Sequence, residues 1–193
     1  SITNAQSLIG LDYNNYNTTT STELDYSTDT EYIINNSLSK SAMWINLKKW
    51  ISSTFNSYKC VVDLEDKENG VIIIKWQAGM PEHYSSDLLT TIAEGTLQID
   101  VRENKYRIRK SDEYISVKVN RIDARNMSTY RLESSLRELN EIKGVFKSGK
   151  IHYKDLKDED FPSKAQLMYY DYLEIVNGKL IYSLKKQMAY TDD

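Results

Sequence analysis

Residues 41–78 read SAMWINLKKWISSTFNSYKCVVDLEDKENGVIIIKWQA, and two periodicities follow each other within them. Apolar residues first recur at Met43, Leu47, Trp50, Ile51 and Phe55, the i, i+4, i+7, i+8 spacing of one buried helical stripe. Asn46, Lys48, Lys49, Ser52 and Ser53 fill the other side. Ser39 offers a hydroxyl to cap the first turn, and Asn56 and Ser57 read as stop residues. A helix with one such stripe usually covers a sheet, so Trp44 and Trp50 are expected in the core rather than on a ligand-stacking platform.

The period then changes to two. Cys60–Glu65 and Val71–Trp76 flank Asp66-Lys67-Glu68-Asn69-Gly70, and Asn-Gly is hairpin chemistry because both residues tolerate positive φ. A two-residue Asn69-Gly70 loop pairs Leu64 with Lys75 and puts a charge on the apolar side. An odd loop of three or five residues pairs Leu64 with Ile72, Val62 with Ile74 and Cys60 with Trp76, all on one face, with a bulge expected at Gly70. The acidic group Asp63, Glu65, Asp66 and Glu68 lacks the ligand spacing of an EF-hand loop and reads as a solvated turn. Cys60, the single cysteine, is expected as a buried, inert thiol, and no internal disulfide can form.

Outward from this stretch the pattern continues. Glu31–Asn35 (EYIIN) reads as a short strand entering the helix. Gly79 to Asp87 reads as a loop, and 88–94 is ambiguous. Thr96–Arg102 alternates, with Leu97, Ile99 and Val101 inward, and Tyr106–Lys110 does the same. A two-residue Glu103-Asn104 turn sets Asp100 opposite Arg107 on the outer side, a favourable cross-strand pair. Ile115–Val119 is expected to add another antiparallel strand.

Residues 1–30 are rich in Asn, Thr and Ser and read as an extended lead-in. From Ser128 a helical stripe of Leu132, Leu136, Leu139 and Ile142 is expected, with Gly144 as its cap. Residues 147–161 (KSGKIHYKDLKDEDF) form a charged connector, and Phe161-Pro162-Ser163 reads as a helix start. Over Lys164–Tyr190 a helical pattern competes with hairpin chemistry at Asn177-Gly178, and two helical pieces meeting near Gly178 are expected. The expected domains are therefore the lead-in 1–30, an α+β domain over 31–125 with β-α-β-β-β-β order, and a helical C-terminal extension over 126–193.

The run Trp50-Ile51, the turn Asp66–Gly70, the strand Val71–Lys75, and Ile99-Asp100-Val101 with Lys105-Tyr106-Arg107 resemble a bacterial domain family of unknown function with a TATA-binding-protein-like (TBP-like) fold. Its members are mostly exported proteins of Bacteroidetes, and the resemblance covers about Leu38 to Ile122. It implies a curved antiparallel sheet with a helix packed on one face. It also implies an exported location, periplasmic or at the cell surface, with any leader peptide outside these residues. It implies no activity and carries over no functional residues.

Composition narrows the function classes. Net charge is -3, so no global positive field recruits nucleic acid or an anionic membrane, and no run of 18 apolar residues spans a bilayer. Fifteen tyrosines against three phenylalanines suit half-exposed sheets and contact surfaces. No phosphate loop, CxxC pair, HExxH or GxSxG occurs, and the only histidines are His83 and His152. Neither catalytic residues, metal ligands nor a cofactor site is expected. A candidate surface remains: Arg102, Lys105, Arg107, Arg109 and Lys118 on the outer strand face, interrupted by Gln98, Asp100 and Glu103. The first expectation is a non-enzymatic envelope module that binds a protein or a small ligand. The alternatives are polyanion or nucleic-acid binding through the basic face, and an enzyme that brings Asp63 or Asp100 to His83.

Overall fold

The computed structural model describes residues 28–84, 89–119, 137, 149–157 and 163–191. Most of the expected lead-in lies outside them, as does the expected helix from Ser128 except for Arg137, which is helical and exposed. The chain forms an α+β fold with strands β1 (Glu31–Asn35), β2 (Val62–Asp66), β3 (Val71–Gly79), β4 (Leu89–Arg102), β5 (Lys105–Val119) and β6 (Lys150–His152). The sheet order is β1-β5-β4-β3-β2, with β6 also pairing with β5. The chain divides into two compact units, and β4 and β5 run through both.

The first unit contains residues up to Ala78, Gly95–Asp112 and the C-terminal residues from Leu173. Helix α1 (Lys40–Thr54) starts where Ser39 Oγ accepts from Ala42 N at 3.2 Å, and buries Met43, Leu47, Trp50 and Ile51, with Phe55 at its end. Ile72, Ile74, Trp76, Leu97, Ile99, Val101, Tyr106 and Ile108 are buried with them. Asn46, expected on the polar side, is instead 5% exposed. The reason lies at the other end of the chain. Helix α4 (Tyr182–Met188) packs on α1, and its final carbonyls have no partners within the helix. Asn46 Nδ2 donates to Tyr190 O at 2.8 Å and Asn36 Nδ2 to Met188 O at 2.9 Å. Trp50 Nε1 donates to Ser183 Oγ at 3.0 Å.

The region 164–190 is helical as far as Met188, without a hairpin. Helix α3 (Ser163–Leu173) passes into a π-helical segment (Glu174–Ile181) and then into α4 without a break. Ile175, Val176, Leu180 and Ile181 are all buried as adjacent pairs, without the alternation of a one-faced hairpin, and Glu174 and Lys179 stand on the partly exposed side. Asn177 is buried too, and accepts from Tyr32 OH at 3.4 Å and Lys110 Nζ at 3.2 Å. The wide π turn spans the Asn177-Gly178 pair.

The first hairpin differs from expectation in register. Its loop is the four residues Lys67–Gly70, with Asp66 opposite Val71, Glu65 opposite Ile72 and Leu64 opposite Ile73. Only Val62 keeps its expected partner, Ile74, because a bulge lies between Val62 and Leu64 rather than at Gly70. Two interactions decide this, one within the turn and one to β4. Asp66 holds the turn through both carboxylate oxygens, from Asn69 N at 2.9 Å and Asn69 Nδ2 at 2.7 Å. Gly70 has φ 68°, and its carbonyl accepts from Val101 N at 2.7 Å. Leu64 is consequently exposed. Cys60 is exposed as well, because Tyr58–Val61 forms a helical turn, α2, before the strand begins.

In the second unit, residues expected as a separate strand (115–119) continue β5 without a turn. The expected connector contributes β6, with Ile151 opposite Ile115, and then a 3-10 turn over Tyr153–Lys157. Among the described residues Tyr84, Tyr153, Tyr169 and Tyr172 are buried here beside Met80, Ile92, Ala93, Ile115, Leu156 and Met168. Tyr153 stacks on Tyr172 and Tyr169 with ring centroids 4.4 and 5.6 Å apart, and Tyr84 is buried with its hydroxyl on Asp171. Burial, with Glu113, Tyr153 and Glu94 nearby, pushes the Tyr172 hydroxyl well above its ordinary pKa.

Gly70 yields a sharp expectation. A Cβ at this position would lie 2.3 Å from Val101 O, in a backbone conformation that L residues avoid. Gly70→Ala should therefore lower stability by about 2–4 kcal/mol, combining positive-φ strain with overpacking. Urea unfolding checks this: an unchanged midpoint would mean that the turn does not sit against β4.

Candidate functional site

The outer face of the first unit's sheet is set by register. β1 pairs antiparallel with β5, with Glu31 opposite Arg109, Ile33 opposite Arg107 and Asn35 opposite Lys105. Paired residues share a face, so these six side chains stand together on the side away from Tyr106 and Ile108. The Glu103-Asn104 turn forms as expected, with Asn104 at φ 58°. It brings Asp100 of β4 against Arg107.

Asp100 organises this face. Its residue is 5% exposed, and its Oδ2 receives Arg107 Nη2 at 2.7 Å and Arg109 Nη2 at 3.3 Å. Gln98 Nε2 donates to Oδ1 at 2.9 Å. Burial alone pushes the carboxyl upward, but Gln98, Arg107 and Arg109 outweigh it and hold its pKa below the ordinary value. Arg107 also lies 3.9 Å from Glu31. Glu103, expected to interrupt the basic set, turns away to accept from Lys40 N at 3.2 Å. An acid at the first turn of α1 also suits the helix dipole. Arg102 is exposed and donates through Nη1 to Asn69 O at 2.8 Å. Lys105 is exposed.

Ile33, Asp100, Arg102, Lys105, Tyr106 and Arg107 line a cleft of about 250 Å3. Of the five basic residues read from the sequence, Arg102, Lys105 and Arg107 line it, and Arg109 stands beside it through Asp100. Lys118 belongs to β5, but its side chain lies outside the described residues. Ile33 was not anticipated as part of a site; alternation within EYIIN carries the signal, since Ile33 and Ile34 must face opposite ways. Arg102, Lys105, Arg107 and Arg109 outnumber Asp100 and Glu31 by two charges, so the cleft suits an anionic group with an apolar portion against Ile33.

Asp63 pairs with Lys75 at 3.1 Å and Asp100 is held by two arginines. The His83 side chain lies outside the described residues. Among the described residues no group of three or more His, Cys, Asp or Glu side chains is arranged to hold a metal ion. Tyr84, Tyr106, Tyr153, Tyr169 and Tyr172 are buried, so much of the tyrosine content serves packing rather than a contact surface.

The pairing of Asp100 gives a pH expectation. A carboxylate with a depressed folded-state pKa contributes stability above its unfolded value, near 4, and loses it as pH falls through the folded value. Asp100→Asn should cost about 1–2 kcal/mol at pH 7, with half-exposed arginines screening the pair. The difference from the parent should shrink as pH is lowered below about 4. Paired denaturation curves at pH 7 and pH 3 check this; a pH-independent difference would mean that the charge is not what Asp100 contributes.

Comparison with known proteins agrees with this architecture. Residues 30–114 match the family described as a domain of unknown function (DUF4468) with TBP-like fold. A TBP-like protein from Parabacteroides distasonis, solved by crystallography, superposes with TM-score 0.54 at 10% identity, covering 84% of this chain and 92% of that one. A DUF4468 family protein from Bacteroides ovatus has TM-score 0.37 at 10% identity, covering 60% of this chain and 81% of its own. No curated protein matches. The α1 helix, the β2–β3 hairpin, β4 and β5 as far as Tyr114 lie within the matched residues, and over them the chain is similar to this DUF4468 family of unknown function with its TBP-like fold.

Proposed function

We propose that the protein is a non-enzymatic binding module whose outer sheet face receives the anionic group of a protein partner or small ligand. The observation that carries this reading is the cleft of about 250 Å3 in which Arg102, Lys105 and Arg107 surround an apolar wall at Ile33. Asp100 fixes Arg107, so part of the charge is already positioned before a ligand arrives, which lowers the ordering cost of binding. The module is proposed to work in the cell envelope, on the strength of its likeness to exported domains.

An extended polyanion fits the face less well. Asp100 and Glu31 break the cationic row, and the cleft is compact rather than a track.

Thermal-shift titration of the 193-residue chain tests the reading. Benzoate and short acyl carboxylates should raise the melting temperature, while the matching amides should not. A ligand at 100 times its dissociation constant stabilises by about 2.7 kcal/mol. Arg102→Ala with Lys105→Ala should abolish the shift without altering the ligand-free melt by more than about 0.5 kcal/mol, as both groups are exposed. Equal response to amides would overturn the anion reading. A steep loss of binding with salt for oligonucleotides, with no response to carboxylates, would transfer the face to polyanions.

A further inference from the structure

Beyond the ligand cleft, we infer that the outer edge of β1 is an interface for a second copy of this chain, joined strand to strand about a two-fold axis at Ile33. β1 is the last strand in the sheet order, so among the described residues its outer side pairs with nothing. The direction of its free groups follows from two bonds. Lys110 N donates to Thr30 O at 2.8 Å, and Asn36 N donates to Asn104 O at 2.9 Å. Antiparallel ladders alternate, so Thr30, Tyr32, Ile34 and Asn36 turn their amides and carbonyls to β5. Glu31, Ile33 and Asn35 turn theirs outward, at a spacing of roughly 7 Å.

Natural edge strands are usually blunted by proline, lysine or a bulge. This one has an isoleucine at its centre, 67% exposed, the most exposed of the large apolar side chains in the described structure. The strand is also complementary to itself. Antiparallel pairing of two copies with Ile33 against Ile33 sets each Glu31 opposite an Asn35. Lys105 stands beside Asn35 on the same face of the same sheet, one strand further in. A glutamate and a lysine across that gap, roughly 10 Å between backbones, can meet with extended side chains. Two-fold symmetry makes the contact twice. The pairing would continue one sheet through both copies and set two clefts on the same face, their β5 strands roughly 14 Å apart.

Sedimentation equilibrium of the 193-residue chain over a concentration series tests this. The expected result is reversible conversion from 22.4 kDa to twice that mass. Glu31→Lys and Lys105→Glu should each weaken dimerisation roughly tenfold, because each dimer loses two pairs and gains two repulsions. The double variant should recover most of the loss. Loss of the Glu31–Arg107 contact within one chain cannot produce that recovery, since Lys at 31 still repels Arg107. Ile33→Pro should give a monomer with an intact β1–β5 ladder, because the amide it removes points away from β5. Thermal melts verify folding, and if this variant unfolds the charge swap decides. A chain that stays monomeric to about 1 mM would overturn the inference. So would a dimer insensitive to the swap, or an edge that takes acidic peptides while the protein remains monomeric. Because Ile33 and Lys105 also line the cleft, the carboxylate titration is run on the parent chain and on Arg102→Ala at a concentration where the chain is monomeric, so that either reading can fail without the other.

Discussion

Alternation along the central strands is the constraint on which the molecule depends. Ile72, Ile74 and Trp76 on β3, Leu97, Ile99 and Val101 on β4, and Tyr106 and Ile108 on β5 are buried on one side, together with the stripe of α1. With those side chains inward, the intervening residues have no freedom: Asp100, Arg107 and Arg109 must stand on the other face. The cleft is thus a by-product of core formation. A shift of one residue in the β4–β5 register would bury Arg107 and expose Tyr106, and would dismantle core and cleft together.

On that outer face, charge pairing determines which cations remain available. Asp100 takes up Arg107 and Arg109, and Glu103 is drawn to the first turn of α1. Arg102 reaches a turn carbonyl rather than a carboxylate. The result is a modest positive surplus beside an exposed Ile33 in a protein of net charge -3. A local field of this kind favours one or two anionic groups over a long phosphate backbone.

From Leu173 onward the C-terminal helical run belongs to the same compact unit as α1 and β1. Tyr32, Asn36, Asn46 and Trp50 of the first half of the chain bond to it, Asn36 and Asn46 at carbonyls that a helix end leaves open. Each partner lies more than 130 positions away in sequence. The second unit solves its packing differently, with stacked tyrosines where other domains place phenylalanine and leucine.

Local pattern determined much of this in advance. Period 3.6 marked the stripe from Met43 to Phe55, period two marked β1, the second half of β4 from Thr96 and the start of β5, and a two-residue turn set Asp100 beside Arg107. These are interactions between neighbours in sequence or across one tight turn, so the residues themselves contain the information. The tertiary structure decided the rest. Leu64 became exposed because Asp66 closed the turn onto Asn69 and Gly70 tied it to Val101 of β4. Asn46 became buried because carbonyls near residue 190 needed a donor. Residues 174–181 became helical because Ile175, Val176, Leu180 and Ile181 found a core together. In each case the determining partner is distant in sequence, and a hydrogen bond or a buried surface closed over that distance leaves no periodic trace in the chain.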